Sequence, residues 1–350
     1  MKLAWVLLAV IVPLIIFFVW ATYPWELMQK TETGVVGASH HGAVAPERPS
    51  TLSVLSWNLS WAHGMGSEGT SEYQRQAPAH YERNLKRAAE VILKSGADIV
   101  LLQEIDFDSA RSYHVDQLAK LAELTGLKHW ARAESWRTRY VPFPYWPIRR
   151  QFGGVRSGGG VLSRWPITKN EVTLLQKPAS KAWWYNLFYL YRYFQFVTIK
   201  IGERELKLVN LHLEAFDQAT KEQQARELVS FAKHRALDFI GGDFNMLPAG
   251  AMKRSGFANP ADVYEGDKTY TILSGLSQVE VVEHTSYLAQ EEKWFTFPSS
   301  RPDRRLDYIY HATTLPFIAA EVVQGPHGDV SDHLPLKATF KLFEPEFIRD

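Results

Sequence analysis

The sequence predicts an α/β protein, on three observations. Short apolar runs recur along the chain and end in polar groups, segments with apolar residues at helical spacing lie between them, and glycines punctuate several junctions. Strands interleaved with helices make sheets that helices cover. With 350 residues and 46% hydrophobic content, the chain buries one large core without a metal or disulfide staple.

The first element stands apart. Residues 3–25 carry no charge and 3–21 are almost wholly apolar, about the length that crosses a bilayer core as a helix. Pro13 interrupts the run, which membrane helices tolerate, and Trp20, Tyr23 and Trp25 fall where an interfacial aromatic belt would lie. Residues 1–25 are therefore expected to be a membrane anchor. The alternatives are a cleaved secretory signal, with Val36-Gly37-Ala38 as a distant cleavage site, and an ordinary buried helix. Lys2 on one side, against Glu26 and Glu32 with only Lys30 between them on the other, places the body outside the cytoplasm, periplasmic or extracellular. Residues 26–50 lack an apolar period and read as a flexible linker, with the His40-His41 pair solvated in it.

From Thr51 the pattern tightens. Leu52, Val54 and Leu55 form a strand that ends at Asn58, and a helix follows over 81–94, stopped by Gly96. Residues 98–102 make a short buried strand that presents Gln103 and Glu104. The alternation continues with a helix over 114–125, a strand over 160–163, strands over 195–201 and 206–211, a helix over 218–233 and a strand over 238–240. That last strand delivers Gly241-Gly242-Asp243-Phe244-Asn245.

Charge and composition exclude some chemistry. Zero cysteines remove thiolate zinc sites, disulfides and cysteine nucleophiles, so catalysis must rest on oxygen and imidazole groups. The 39 basic and 38 acidic side chains give a net charge of +1, so no global basic field holds a long polyanion. Asp243 and Asn245 lie two apart and point to one face of an extended segment, so both address one ligand.

Six pieces stand in order: Ser56-Trp57-Asn58, Leu102-Gln103-Glu104, Asn210-Leu211-His212-Leu213-Glu214, the Gly241 to Asn245 segment, Arg305-Leu306-Asp307-Tyr308-Ile309 and Ser331-Asp332-His333. Together they resemble the ordered signature of the endonuclease/exonuclease/phosphatase superfamily, over roughly residues 51–343, which leaves 344–350 as a tail. The resemblance implies a four-layered α/β/β/α sandwich with the site at the strand ends, and metal-dependent hydrolysis of a phosphoester by a chain acting as a monomer. It implies magnesium or manganese as the cofactor, with Asn58, Glu104 and Asp332 at the metal; magnesium itself typically takes one or two carboxylates and keeps much of its water. It further implies that Asp243 orients or deprotonates the attacking water and that Asn245 donates to a phosphate oxygen. Asp307 is implied to orient His333, and His212 to contact the phosphate or the leaving group. Abasic-site enzymes lack a histidine in the position of His212, so that branch fits less well.

Lesser matches are Arg164, read either as a structural pair or as a substrate contact, and Thr296-Phe297-Pro298, read as a positioning loop. His63, His80, His284, His311 and His327 match nothing and are read as structural or exposed. Residues 130–152 and 183–196 read as insertions rich in aromatics, the first also in arginine. Such mixtures stack on single-stranded bases or lie in a lipid headgroup layer, and the preceding anchor favours lipid. The expected activity is a membrane-tethered phosphodiesterase or phosphatase acting on a phospholipid or small phosphoester. An extracytoplasmic nuclease and an inactive lipid- or partner-binding relative are the alternatives.

Overall fold

The computed structural model describes residues 2–22, 31–35, 48–65, 73–325 and 330–343. In chain order, its first half carries α1 (Lys2–Thr22), β1 (Thr31–Val35), β2 (Thr51–Asn58), α2 (Pro78–Ser95), β3 (Ile99–Asp106), α3 (Gln117–Thr125), β4 (His129–Val141) and β5 (Gly153–Ser163). There follow β6 (Ile167–Leu174), α4 (Trp183–Phe188), β7 (Tyr193–Ile201), β8 (Arg204–His212), α5 (Gln218–Lys233) and β9 (Phe239–Asp243). The last part holds α6 (Thr269–Leu273), β10 (Val279–Glu280), α7 (His284–Ala289), β11 (Asp307–His311), β12 (Phe317–Val322) and β13 (Leu336–Lys341).

Two mixed sheets result, ordered β1-β4-β5-β3-β2-β13-β12 and β10-β11-β9-β8-β7-β6. The centre of each holds a parallel pair, β2 with β3 and β8 with β9. Parallel neighbours need a crossover, which α2 makes in one sheet and α5 in the other.

The period of two in the strands decides what each side chain meets. Leu52, Val54, Ile99 and Leu101 share one core cluster with Leu208, Phe239 and Ile309 of the other sheet. Their alternates Leu55, Trp57, Val100 and Leu102 pack with Leu85 and Ile92 of α2 and Leu118 and Leu121 of α3. On the second sheet, Val209 and Ile240 meet Ala225 and Leu228 of α5. Helix, sheet, sheet and helix therefore stack in four layers, as expected. Each fully buried Val, Leu or Ile side chain stabilises by about 1.5–3 kcal/mol, so these seams dominate cohesion.

Polar groups also tie the sheets together. Gln103 Nε2 donates to Asn210 Oδ1 at 2.7 Å, and Asn210 Nδ2 donates back to the Leu102 carbonyl at 3.0 Å and the Gly160 carbonyl at 3.2 Å. β5 passes so close to its neighbours that side chains are excluded. A Cβ on Gly158 would lie 1.9 Å from the Ala133 carbonyl oxygen, and one on Gly159 would lie 1.7 Å from Tyr193 Oη.

Several elements differ from the sequence expectation. Residues 130–141 are the bulk of β4 rather than an insertion, because Arg132 and Glu134, whose charge disguised the strand, are buried in ion pairs. Inside the expected linker, Thr31–Val35 pairs antiparallel with β4, and Glu32 binds Arg132. The helix expected over 114–125 begins at Gln117, where the Asp116 carboxylate accepts from Ala119 N. α2 begins three residues earlier than expected, with Pro78 in its first turn, and Gly96 closes it in the left-handed region at φ 66°.

The expected anchor coincides with α1. Among the described residues, no helix is long and apolar enough to cross a membrane. The described side chains of α1 are nonetheless apolar and mostly exposed, including Leu14, Ile15 and Ile16. Tyr23, Trp25, Glu26, Lys30, Val36-Gly37-Ala38, His40, His41, His327 and the tail 344–350 lie outside the described residues.

Candidate active site

Sheet register builds the floor of the site. β8 ends on His212, opposite Asp243 at the end of β9, and Asp243 is in turn opposite Asp307 at the start of β11. One transverse row therefore carries an imidazole and two carboxylates. Gly242, just before Asp243, has φ 150°, and a Cβ there would meet the Leu211 carbonyl oxygen at 2.0 Å, so the close approach of β8 and β9 requires glycine.

From the other sheet, Asn58 ends β2 and Glu104 sits at a bulge in β3 between Leu102 and Ile105. Glu104 is held at φ 50°, a conformation that costs a non-glycine residue about 1–3 kcal/mol and is concentrated at functional positions. Asn58 Nδ2 donates to Asp243 Oδ2 at 3.0 Å and approaches Glu104 Oε1 at 3.4 Å. Its Oδ1 accepts from Ser60 N. Asn58 thus brackets two carboxylates from different sheets.

The loop before β13 brings Asp332 and His333. His333 Nδ1 lies 2.8 Å from Asp307 Oδ2, and its Nε2 lies 3.8 Å from Asp243 Oδ2. Thr296 Oγ1 accepts from the backbone N–H groups of Leu306 and Asp307, while the Phe297 ring packs 4.8 Å from the His333 ring. The loop expected to position the site does so on both members of the Asp307–His333 pair.

Charge tunes these groups. Burial by itself would lower the His333 imidazole, but the carboxylates of Asp307, Asp243 and Asp332 overcome it and raise the ring to about 10. His333 is therefore an imidazolium at neutral pH. Burial would raise Asp243, yet the His333 and His212 rings and the Asn58 amide hold it well below the usual carboxylate range. A carboxylate so weakly basic is a poor acceptor of a proton.

His212 Nε2 lies 3.3 Å from Asp243 Oδ2 and 3.8 Å from Glu104 Oε1. Arg192 lies against the same ring, with Nη1 2.5 Å from Nε2 and 3.0 Å from Nδ1, and its Nε lies 3.5 Å from Glu214 Oε2. A guanidinium only donates, so a ring nitrogen that bonds it accepts. Sequence reasoning missed Arg192. Its one signal is that it is the sole charge in the aromatic stretch 183–196, where a buried cation needs a partner.

Seven of the eight expected residues, Asn58, Glu104, His212, Asp243, Asn245, Asp332 and His333, line a single cleft of about 670 Å³. Asp307 lies behind them, fully buried. Asn245 is placed at the cleft, but its Nδ2 donates to the Leu213 carbonyl at 3.0 Å and its N–H to Asp243 Oδ1. Its amide braces the floor. Arg164 bonds Asp98 at 2.6 Å and does not line the cleft, which makes it structural.

The donor set suits a hard divalent cation. Glu104 and Asp332, both carboxylates, line the cleft. Among the described residues no three His, Asp or Glu side chains form a closed metal cage. Magnesium does not need one, since it takes one or two carboxylates and keeps its water.

Comparison with known proteins agrees with this geometry. The model of the endonuclease/exonuclease/phosphatase family matches residues 55–333, and the chain belongs to that family. Its members are typically hydrolases of phosphoesters that use divalent metal ions. Among solved structures, an endonuclease/exonuclease/phosphatase from Beutenbergia cavernae is 20% identical with a TM-score of 0.59, over 84% of this chain and 72% of that one. One from Bacteroides vulgatus is 12% identical with a TM-score of 0.53, over 84% and 100%. TDP2 from D. rerio, solved with a single strand DNA product, is 16% identical with a TM-score of 0.53, over 84% and 100%. At these identities the likeness is one of fold. No match was found among curated protein sequences.

Proposed function

We propose that this protein is a divalent-metal-dependent phosphoester hydrolase, using magnesium or manganese, tethered to a membrane by α1 with its catalytic body outside the cytoplasm. The observation that carries the reading is His333 set between two carboxylates, beside Glu104 and Asp332 on the same cleft floor. Glu104 and Asp332 would hold the cation, which would supply charge relief on the phosphate oxygens when bound.

The chain's own groups account for the rest. Asp243, kept ionised and fixed by Asn58, orients the attacking water. The His333 imidazolium, with Nδ1 fixed on Asp307, aims Nε2–H into the cleft to stabilise charge or protonate an oxygen. His212, backed by Arg192, addresses the phosphate from the opposite side of Asp243. The tether is supported by the exposed apolar side chains of α1 and the charge asymmetry around it.

The test is hydrolysis by the full chain of a soluble generic phosphodiester and a phosphomonoester, with magnesium and with chelator. Turnover should require the metal and fall by roughly two to four orders of magnitude in His333→Ala, as expected for loss of a positioned acid. Failure to cleave either compound, or any lipid or single-stranded DNA, would sink the reading and leave a binding relative.

A further inference from the structure

We infer that the aromatic rim of the cleft is a membrane-docking collar, which together with α1 holds the active-site mouth at the headgroup layer of a bilayer and feeds it a lipid phosphoester. The choice of substrate rests on the hydrolase reading above, whereas the docking does not.

The cleft has two unlike halves. Its floor is the polar cluster at the strand ends. Its walls are apolar, with Phe143 and Phe152 from the segment around β4 and β5, and Trp184 and Phe188 from α4. Beyond these walls the rim is open: Trp146 is 78% exposed, Trp183 72% and Ile148 62%, with Tyr145 and Leu187 exposed beside them. Exposed large apolar side chains on the two segments that wall the cleft mark an interaction surface.

α1 identifies what covers it. Phe17 and Trp20 pack on Tyr140, with ring centroids 5.7 and 6.2 Å apart, and Phe18 packs on Trp183 at 6.0 Å and Phe188 at 5.5 Å. These contacts all lie in the last six residues of α1. α1 ends at the rim, and its described side chains, apolar and mostly exposed, continue the apolar surface of the rim. Rim and helix end are thus at one depth, and Trp and Tyr favour that depth. Exposed Arg149 and Lys181 flank the rim and suit lipid phosphates.

The same wall is poorly suited to nucleic acid. Of the arginines that line the cleft, Arg111 is bound to Asp106, Arg192 to Glu214, and Arg304 to Asp262 and Asp303. Arginines so neutralised leave little field for a polyanion.

The absence of cysteine allows a clean test, because a single introduced thiol carries the only label. Trp146→Cys, Trp183→Cys and, on α2, Glu90→Cys are labelled with an environment-sensitive fluorophore in the full chain and mixed with phosphatidylcholine–phosphatidylglycerol vesicles that contain a doxyl-lipid quencher. Labels at 146 and 183 should shift to the blue and be quenched, while the label at 90 stays in water. Trp146→Ser/Trp183→Ser should lower turnover of vesicle-borne lipid phosphoester about tenfold, the scale of losing two interfacial anchors, and leave turnover of the soluble phosphodiester unchanged. Wet labels at 146 and 183, failure of the chain to float with vesicles, or protection of the labels by single-stranded oligonucleotide instead of lipid overturns the collar. Buried labels with no hydrolysis of any phosphoester would uphold the collar and refute the hydrolase.

Discussion

Asp307→Asn should cripple turnover while leaving the cleft intact, since Asp307 stands behind the floor and acts through His333. At 2.8 Å and an effective dielectric near 20, the Asp307–His333 attraction is about 6 kcal/mol gross. At 1.36 kcal/mol per pH unit that is about four units of imidazole basicity. This scale is what the ring requires, since burial acts to lower it and it nonetheless stands near 10. With asparagine in place, Asp243 at 3.8 Å still holds part of the charge, and the ring should fall back toward its ordinary 6.5. Asparagine also offers either a donor or an acceptor to Nδ1, so the tautomer is no longer fixed. The expected loss at pH 7 is roughly two to four orders of magnitude in kcat with KM little changed. The assay is kcat on a soluble phosphodiester at saturating magnesium from pH 5.5 to 9, paired with an NMR titration of the His333 ring. A His333 ring that still titrates near 10 in the variant, or turnover within about threefold of the parent at pH 7, would refute the reasoning.

Four further outcomes are expected. Glu104→Gln should weaken magnesium binding by about 10–100-fold by titration calorimetry with the melting temperature nearly kept, because one of two carboxylates at the ion is neutralised. Arg192→Met should lower kcat by about 10–1000-fold and destabilise by about 3–5 kcal/mol in urea, since Glu214 is left buried without its cation. Gly159→Ala should lower stability by about 1–3 kcal/mol or more and displace Tyr193, visible as a changed near-ultraviolet dichroism. In the metal-free protein, the raised His333 adds stability that is full below about pH 6.5 and is lost as pH rises through about 10. Urea resistance should therefore fall between pH 7 and 10, and His333→Gln should flatten that slope.

Much of the site was legible because each of its residues stands next to a local signal. Asn58 and His212 close apolar runs that are strands whatever they pair with, and Gly241-Gly242 announces the close approach that delivers Asp243. What was hidden depends on partners distant in sequence. β1 is a short polar strand whose place is set by pairing with β4 and by the Glu32–Arg132 bond a hundred residues away. β4 was obscured because Arg132 and Glu134 occupy buried positions that normally take apolar side chains, which is permitted because Arg132 is neutralised by Glu32 and Asp116, and Glu134 by Arg137 and Arg156. Arg192 looked like one cation among aromatics until β7 was paired with β8, which brings it to His212. Asn245 matched its expected place, but its amide also donates to the Leu213 carbonyl, a contact that no spacing rule announces.

The row His212–Asp243–Asp307 runs across three adjacent strands at one register. Its spacing is therefore set by the lattice of the sheet, about 4.7–4.9 Å from strand to strand, and not by any loop. A ruler of this kind does not stretch. Insertions in the α5 connection or beyond β11 leave the row untouched, whereas a slip of one residue in β9 would turn Asp243 into the opposite face and erase the site at a stroke. Asp332 and His333 stand outside this row and are held to it by the Ser331–Asn58 and His333–Asp307 bonds. Engineering of pace or substrate preference should accordingly be directed at the cleft walls around Phe143 and Trp184, which lie off the row.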